Sequence, residues 1–167
     1  MTYKASLDTL ALVITIAVAV FFIVLIASVG KDILNHTESG LPIVAIIFSI
    51  ILPVVIFSLC WFFAPSSYTL TDNDIVINRP TGKRAIKYAE IAEVRTIGKN
   101  DLGILIRTFG NGGLFGYYGK FHSSKLGSMT LYTTQRKNRL LITTTNGSKI
   151  MITPDDLSLV EALKKKI

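Results

Sequence analysis

Two long stretches near the start of the chain contain no charged residue. Asp, Glu, Lys and Arg are absent from Thr9 to Gly30 and again from Ser39 to Thr71. Each stretch has an apolar core of about 20 residues, and a helix of that length spans the hydrocarbon core of a bilayer. The pattern predicts two transmembrane helices, at residues 8–30 and 41–63, within a membrane segment that covers residues 1–65.

A cleaved signal peptide is the alternative interpretation of the first stretch. Lys4 precedes the stretch and small residues lie near its end, as they do in signal peptides. The apolar run is nevertheless longer than the roughly 7 to 15 residues of a signal peptide, and Asp8 lies where a positive charge is expected. These two features favour a helix that is retained.

The link between the two predicted helices is short, so they are expected to form an antiparallel hairpin with both chain ends on one side of the membrane. Arg79, Lys83 and Arg84 follow the second helix within about 20 residues, whereas the link offers Lys31 as its basic residue. The chain is therefore predicted to be a cell (inner) membrane protein with two helices, and the positive-inside rule predicts its orientation. Both termini and the domain that follows the helices are expected in the cytoplasm.

From residue 66 onward, apolar and polar residues alternate and turn sequences recur. Asn146-Gly147, between two β-rich runs, is the strongest hairpin sequence. Near the end, Thr153 is the expected N-cap and Pro154 the first-turn residue of a helix over residues 154–166. Residues 66–167 are predicted to form a membrane-anchored α+β domain of seven antiparallel strands, as a barrel or a two-sheet sandwich, with one C-terminal helix.

This order of elements, together with four stretches of the sequence, resembles the bacterial branch of the pleckstrin-homology (PH) superfold. The resemblance implies a PH-like fold over residues 66–167 and a non-enzymatic binding role. Eukaryotic PH domains that hold phosphoinositides carry basic residues on their first two strands, but Ser67–Thr71 has none, so that specificity is not implied here. The stretches that carry the resemblance are Tyr68–Asp72, Ile86–Ile91, Phe109–Phe121 and Ile152–Asp155.

The sequence offers little for catalysis or for a cofactor. The single cysteine, Cys60, lies within the second predicted helix, and His36 and His122 fall on opposite sides of the membrane in this topology. These residues do not assemble the usual His and Cys metal site, and no nucleophile motif accompanies them. We expect a protein that is not an enzyme and that has no cofactor and no metal.

The net charge of +7 raises the question of nucleic acid. The basic residues are spread over several predicted turns, and the domain follows the second helix so directly that it is expected beside the membrane. The glycine-rich stretch Phe109–Phe121 matches neither the Walker pattern nor the dinucleotide-binding pattern. We therefore expect neither nucleic acid nor a nucleotide as a partner.

A basic hairpin is the first candidate binding surface. Its four cations would be attracted to an anionic leaflet by about 1 kcal/mol each when they lie close to the headgroups. The alternative interpretation is that they only solvate the surface and set the topology. The four residues are Arg79, Lys83, Arg84 and Lys87.

The second candidate surface is the glycine-rich stretch. The spacing of Gly113, Gly116 and Gly119 fits neither a strand nor a helix and predicts a compact, irregular loop. The aromatic rings either pack on the barrel or form an exposed tip that touches the membrane or a partner. The loop-forming residues are Gly110, Gly112, Gly113, Gly116 and Gly119, and the candidate contact residues are Phe115, Tyr117, Tyr118, Lys120, Phe121 and Lys125.

Two functions remain. The first is a membrane-tethered PH-like binding module that contacts lipid headgroups, anionic ones among them, or a protein partner. The second is a structural or assembly subunit whose transmembrane hairpin binds a membrane protein or a second copy of the chain. Small residues every four positions, such as Ala11, Thr15 and Ala19, offer a surface for close packing of helices in either case.

Overall fold

Two β-sheets and four helices make up the computed structural model, which describes residues 1–35 and 43–167. The first sheet has the strand order β1-β2-β3-β4 and the second has the order β5-β9-β10-β8-β7-β6. The strands are β1 Thr2–Lys4, β2 Ser67–Leu70, β3 Asp74–Arg79, β4 Gly82–Lys87, β5 Ile91–Ile97, β6 Leu105–Gly113, β7 Gly116–Ser123, β8 Gly127–Thr133, β9 Arg139–Thr144 and β10 Lys149–Ile152. The helices are α1 Thr9–Asn35, α2 Ile43–Phe63, α3 Lys99–Leu102 and α4 Ser158–Lys164.

The two sheets pack face to face and do not close into a barrel. In the described part of the chain no strand pairing joins one sheet to the other. Of the two predicted alternatives, a barrel and a two-sheet sandwich, the structure has the sandwich. Nine strands lie within residues 66–167, where seven were predicted. The pairing of β8 with β10 is parallel, a feature that hairpin patterns along the sequence do not reveal.

The main apolar core lies between the sheets and α4. Tyr68 and Ile77 of the first sheet, Ile142 and Ile152 of the second and Leu163 of α4 are all fully buried in it. The Tyr68 hydroxyl donates to the Tyr132 carbonyl at 2.6 Å, and burial raises the pKa of Tyr68 to about 12. Alternating apolar positions of both sheets thus supply the core, as the pattern predicts.

The C-terminal helix begins at Ser158, so its predicted start at residue 154 is wrong. Thr153 does not cap the helix, because its hydroxyl accepts the amide of Thr134 at 3.0 Å and is held by the sheet. Just before the helix, the Asp156 carboxylate accepts a hydrogen bond from the amide of Ser158 at 2.8 Å and stabilises the turn there. The residues expected to start the helix are therefore used to join it to β10.

Strand β1 was not foreseen. It precedes α1, yet it pairs antiparallel with β2, with Thr2 opposite Thr69. The terminal amino group of Met1 also donates to the Leu70 carbonyl at 3.0 Å. The first residues of the chain consequently belong to the same sheet as the residues that follow α2.

Among the described residues, one helical segment, Thr9–Lys31, is long and apolar enough to cross a membrane. This segment indicates membrane association. In α2 the apolar segment that can be assessed is Ile47–Phe63, so the second span stays a prediction. Residues 36–42, which include the second part of the predicted link and the expected start of the second helix, lie outside the described residues. The first part of the predicted link, up to Asn35, belongs to α1.

Candidate functional site

The glycine-rich stretch forms a β-hairpin, so the prediction of an irregular loop is wrong. Its strands β6 and β7 are joined at Leu114-Phe115, and Gly110 lies opposite Gly119. Both glycines have positive φ, and a Cβ on either would collide with backbone atoms of the opposing strand. The glycines therefore allow two twisted strands to approach closely, and their spacing does not indicate a loop.

The tip of this hairpin lies between α1 and α2. The amide of Phe115 donates to the Thr15 hydroxyl of α1 at 2.9 Å. The Phe115 ring packs edge-on against Phe57 of α2, with 4.9 Å between ring centroids. Neither interpretation of the tip, packing on the barrel or full exposure, describes this contact with the two helices.

Tyr117 and Tyr118 join opposite faces of the hairpin to different helices. Tyr117 donates to the Asp8 carboxylate at 3.2 Å, just before α1. Tyr118 donates to the Cys60 carbonyl in the last turns of α2. Burial raises the pKa of both tyrosines, so they remain protonated donors at neutral pH.

Asp8 anchors the α1 side of the hairpin. Its carboxylate accepts the Ala11 amide at 2.8 Å and pairs with the Arg136 guanidinium at 3.1 Å. Partial burial raises the pKa of Asp8, but the hydrogen bonds from Ala11 and Arg136 and the Arg136 charge together hold it below its ordinary value. Asp8 is therefore ionised at neutral pH.

The four cations of the basic hairpin do not share one face. Arg84 lies opposite Ile77 in the register of β3 and β4, so it points to the same side as the core residues. Arg79 follows Ile77 by two positions and shares that side. Strand alternation places Lys83 and Lys87 on the opposite side, and the predicted patch is split into two pairs.

Two adjoining clefts open where the sheets separate. The inter-sheet cleft, of about 540 Å³, lies between Arg84 of β4 and the β7, β8 and β10 strands. The helix-end cleft, of about 620 Å³, lies between the last turns of α2 and the glycine hairpin. Both are lined by Lys120, Thr130 and Tyr132, so they are continuous.

The clefts are basic. Among the described residues, no Asp or Glu lines either of them. Hydroxyl groups of Thr108, Ser128 and Ser148 line the inter-sheet cleft, and the Lys120 ammonium donates to Thr130 at 3.1 Å. The cations that line the two clefts are Arg79, Arg84, Arg107, Lys120 and Lys149. This arrangement of cations and neutral donors can bind an anion.

Arg79 is the most constrained of these cations. Its Nε is buried and has no hydrogen-bond partner among the described residues. Its guanidinium lies 5.8 Å from the centre of the Tyr132 ring. A buried donor without an acceptor is costly, so an anion in the helix-end cleft would supply the acceptor that this Nε lacks.

The remaining predicted contact residues contribute less to the clefts. Phe121 lines the inter-sheet cleft but is buried mainly in a second apolar cluster with Met129 and Leu131. The Lys125 ammonium donates to the Asn100 carbonyl at 2.8 Å, and Lys125 lines neither cleft. Sequence reasoning missed Lys149 and Tyr132, which reach the clefts from separate strands. Strand alternation could have suggested their side of the sheet but not their neighbours.

Among the described residues, no cluster of His, Cys, Asp and Glu could hold a metal ion.

A two-sheet sandwich with a C-terminal helix packed on its core defines a PH-like binding fold. Residues 66–167 match the family model of the bacterial PH domain, and the chain belongs to that family. The resemblance seen in the sequence is thereby confirmed. PH domains are in general binding modules without catalytic activity. Neither the curated proteins nor the solved structures contain a match.

Proposed function

We propose that this chain is a membrane-tethered PH-like module that binds anionic headgroups at the cytoplasmic membrane surface. The observation that carries the proposal is the pair of continuous clefts lined by five cations and, among the described residues, by no acid. Charge-assisted hydrogen bonds from Arg and Lys are the strongest that side chains make to phosphate. The binding role itself follows from the family.

The pairing of β1 with β2 supports the tether. Because Thr2 and Thr69 are paired, the chain before α1 and the chain after α2 must lie on the same side of a membrane. A chain that crosses once through α1 must then cross back, which favours α2 as a second span. The excess of Lys and Arg after α2 favours the cytoplasmic side for both ends.

The position of the clefts supports the membrane surface as the source of the ligand. Phe63 ends α2 and Ser67 starts β2, and so short a link extends at most about 14 Å. The turn of the basic hairpin is fixed there too, since Thr81 donates its amide to the Phe62 carbonyl at 3.2 Å. Cations near this turn are therefore expected close to lipid headgroups, whose negative surface attracts them over a Debye length of about 8 to 10 Å.

Hydrogen–deuterium exchange of the full chain in nanodiscs tests this function. Amides of β4, β7 and β8 are expected to exchange more slowly in discs that contain phosphatidylglycerol than in discs of phosphatidylcholine alone. High salt should reduce the difference, because it screens the cations. The Arg84→Glu variant should remove most of the difference.

The matched control is Lys83→Glu, which makes the same charge change on the opposite side of the same strand. It is expected to keep most of the anion-dependent protection. Equal exchange in both kinds of disc would contradict the proposed function. An equal loss of protection in both variants would contradict the assignment of the clefts.

A further inference from the structure

The helix-end cleft is amphiphilic, unlike the more polar inter-sheet cleft. Leu59 and Phe63 of α2 and Phe109 of β6 line it, and they are 50%, 46% and 78% exposed. Leu114 adds a further apolar side chain at the hairpin turn. A phosphate group alone would leave this apolar wall without a partner, whereas clustered exposed apolar surface usually marks a membrane-facing or ligand-binding site.

The polar side of the same cleft favours a negatively charged group, because Arg79, Arg107 and Lys120 line it. Arg79 brings a buried guanidinium nitrogen that lacks a partner among the described residues. Lys120 donates one hydrogen bond to Thr130, and an ammonium has three donors. Arginine and lysine next to neutral hydroxyl groups match the chemistry of a phosphate diester.

The cleft opens at the depth where a bilayer changes from acyl chains to headgroups. Leu59, Cys60 and Phe63 occupy the last turns of α2. Trp61 and Phe62 beside them are exposed, as aromatic residues at a membrane interface are. An amphiphile in the adjacent leaflet could therefore enter from the side, with its chain along α2 and its phosphate toward β3 and β7.

We infer that the helix-end cleft holds one anionic phospholipid taken from the membrane. Its phosphate lies between Arg79 and Lys120, and one acyl chain lies against Leu59, Phe63 and Leu114. This inference rests on the proposed function and specifies its ligand as a whole lipid, with the headgroup and the chain both recognised. It also gives a role to the exposed Phe109, which closes the outer side of the cleft.

Native mass spectrometry of the full chain tests the inference. The protein, stripped of lipid in detergent, is offered equal amounts of phosphatidylglycerol and phosphatidylcholine. One phosphatidylglycerol per chain is expected to remain bound. Arg79→Gln and Lys120→Gln should each weaken its retention about tenfold, because each removes a hydrogen bond to a charged group.

Lys83→Gln is the matched control, since it removes the same charge from the side of β4 that faces away from the clefts. It should retain phosphatidylglycerol as the unaltered protein does. Leu59→Asn should also weaken the retention of phosphatidylglycerol, because it removes part of the apolar wall. Lys120 is exposed, so Lys120→Gln gives a result even if Arg79→Gln does not fold.

Glycerol phosphate in place of the lipid separates the two possible sources of the phosphate. Binding of glycerol phosphate as strong as that of phosphatidylglycerol would overturn the inference, and so would equal retention of phosphatidylcholine. Unaltered retention in Lys120→Gln would overturn it as well. If no lipid is retained while anionic nanodiscs still protect β4, β7 and β8, the single-lipid site is overturned and the proposed function stands.

Discussion

The basic hairpin, β3–β4, and the longer glycine hairpin, β6–β7, place their side chains in different ways. In the basic hairpin, alternation sends Arg84 toward the clefts and Lys83 away from them. In the glycine hairpin, Gly110 and Gly119 face each other so that the strands can meet, and the tip lies between the two helices. Each hairpin supplies two of the cations that line the clefts, Arg79 and Arg84 from the basic hairpin and Arg107 and Lys120 from the glycine hairpin. The tip of the glycine hairpin in addition anchors the domain to both helices.

The largest effect is expected from a comparison of one glycine in each hairpin. Gly82 and Gly119 both have positive φ, so Ala at either position is strained by about 1 to 3 kcal/mol. A Cβ at Gly82 meets open space, whereas a Cβ at Gly119 collides with the Phe109 backbone, which adds an overpacking cost of about 1 to 3 kcal/mol. Gly119→Ala should therefore lower the thermal unfolding midpoint of the full chain in detergent about twice as far as Gly82→Ala. Equal shifts would show that close strand approach does not distinguish the two hairpins.

A smaller effect is expected at the contact between the hairpin tip and α1. Thr15→Val removes the hydroxyl that accepts the Phe115 amide, and an unsatisfied buried donor costs about 1 to 3 kcal/mol. Exchange of the Phe115 amide should accelerate by at least about tenfold. Thr15→Ser keeps the acceptor and should leave the rate close to its original value.

The basic hairpin provides the internal reference for that measurement. The Thr81 amide is bonded to the Phe62 carbonyl of α2 and has no contact with Thr15. Its exchange rate should not change in Thr15→Val. Acceleration at both amides would indicate that the helices separate from the whole domain, and the distinction between the hairpins would fail.

The smallest effect is expected from acid. Asp8 has a folded-state pKa below its ordinary value of 3.8, so its carboxylate stabilises the fold above that pH. This stability is lost as the pH falls through the lower, folded-state pKa. The amount is about 0 to 1 kcal/mol, because Arg136 is exposed and its charge is screened. The difference in unfolding midpoint between the original chain and Asp8→Asn should shrink below pH 3.8. A constant difference across that range would rule out the Asp8 contact as a source of pH dependence.

The sequence was sufficient wherever one local signal determined the structure. The uncharged run from Thr9 onward predicted α1, and Asn146-Gly147 predicted the β9–β10 hairpin. The sequence was insufficient for the glycine hairpin. A glycine that permits close approach of two strands cannot be distinguished, from the sequence alone, from a glycine that permits a loop. Strand β1 was not predicted, because three residues are too few to show an alternating pattern and its partner strand is distant in the chain.

Part of the candidate site could be predicted from the sequence. The cations of the basic hairpin were identified, and strand alternation alone would have separated Arg79 and Arg84 from Lys83 and Lys87. The clefts themselves depend on Lys149, Tyr132 and the end of α2, which are brought together by the parallel pairing of β8 with β10 and by the helices. The periodicity of one segment does not show which other segment packs beside it.

The pairing of β1 with β2 has a consequence for biosynthesis. Thr2 is synthesised before its partner Thr69, which is 67 positions later in the chain and follows both helices. The edge of the first sheet therefore stays open throughout synthesis of the helices, and loop closure over this distance must follow them. If the chain failed to return to its starting side, β2 would lack its edge strand. Completion of the sheet therefore requires the two ends of the helical segment to meet on one side.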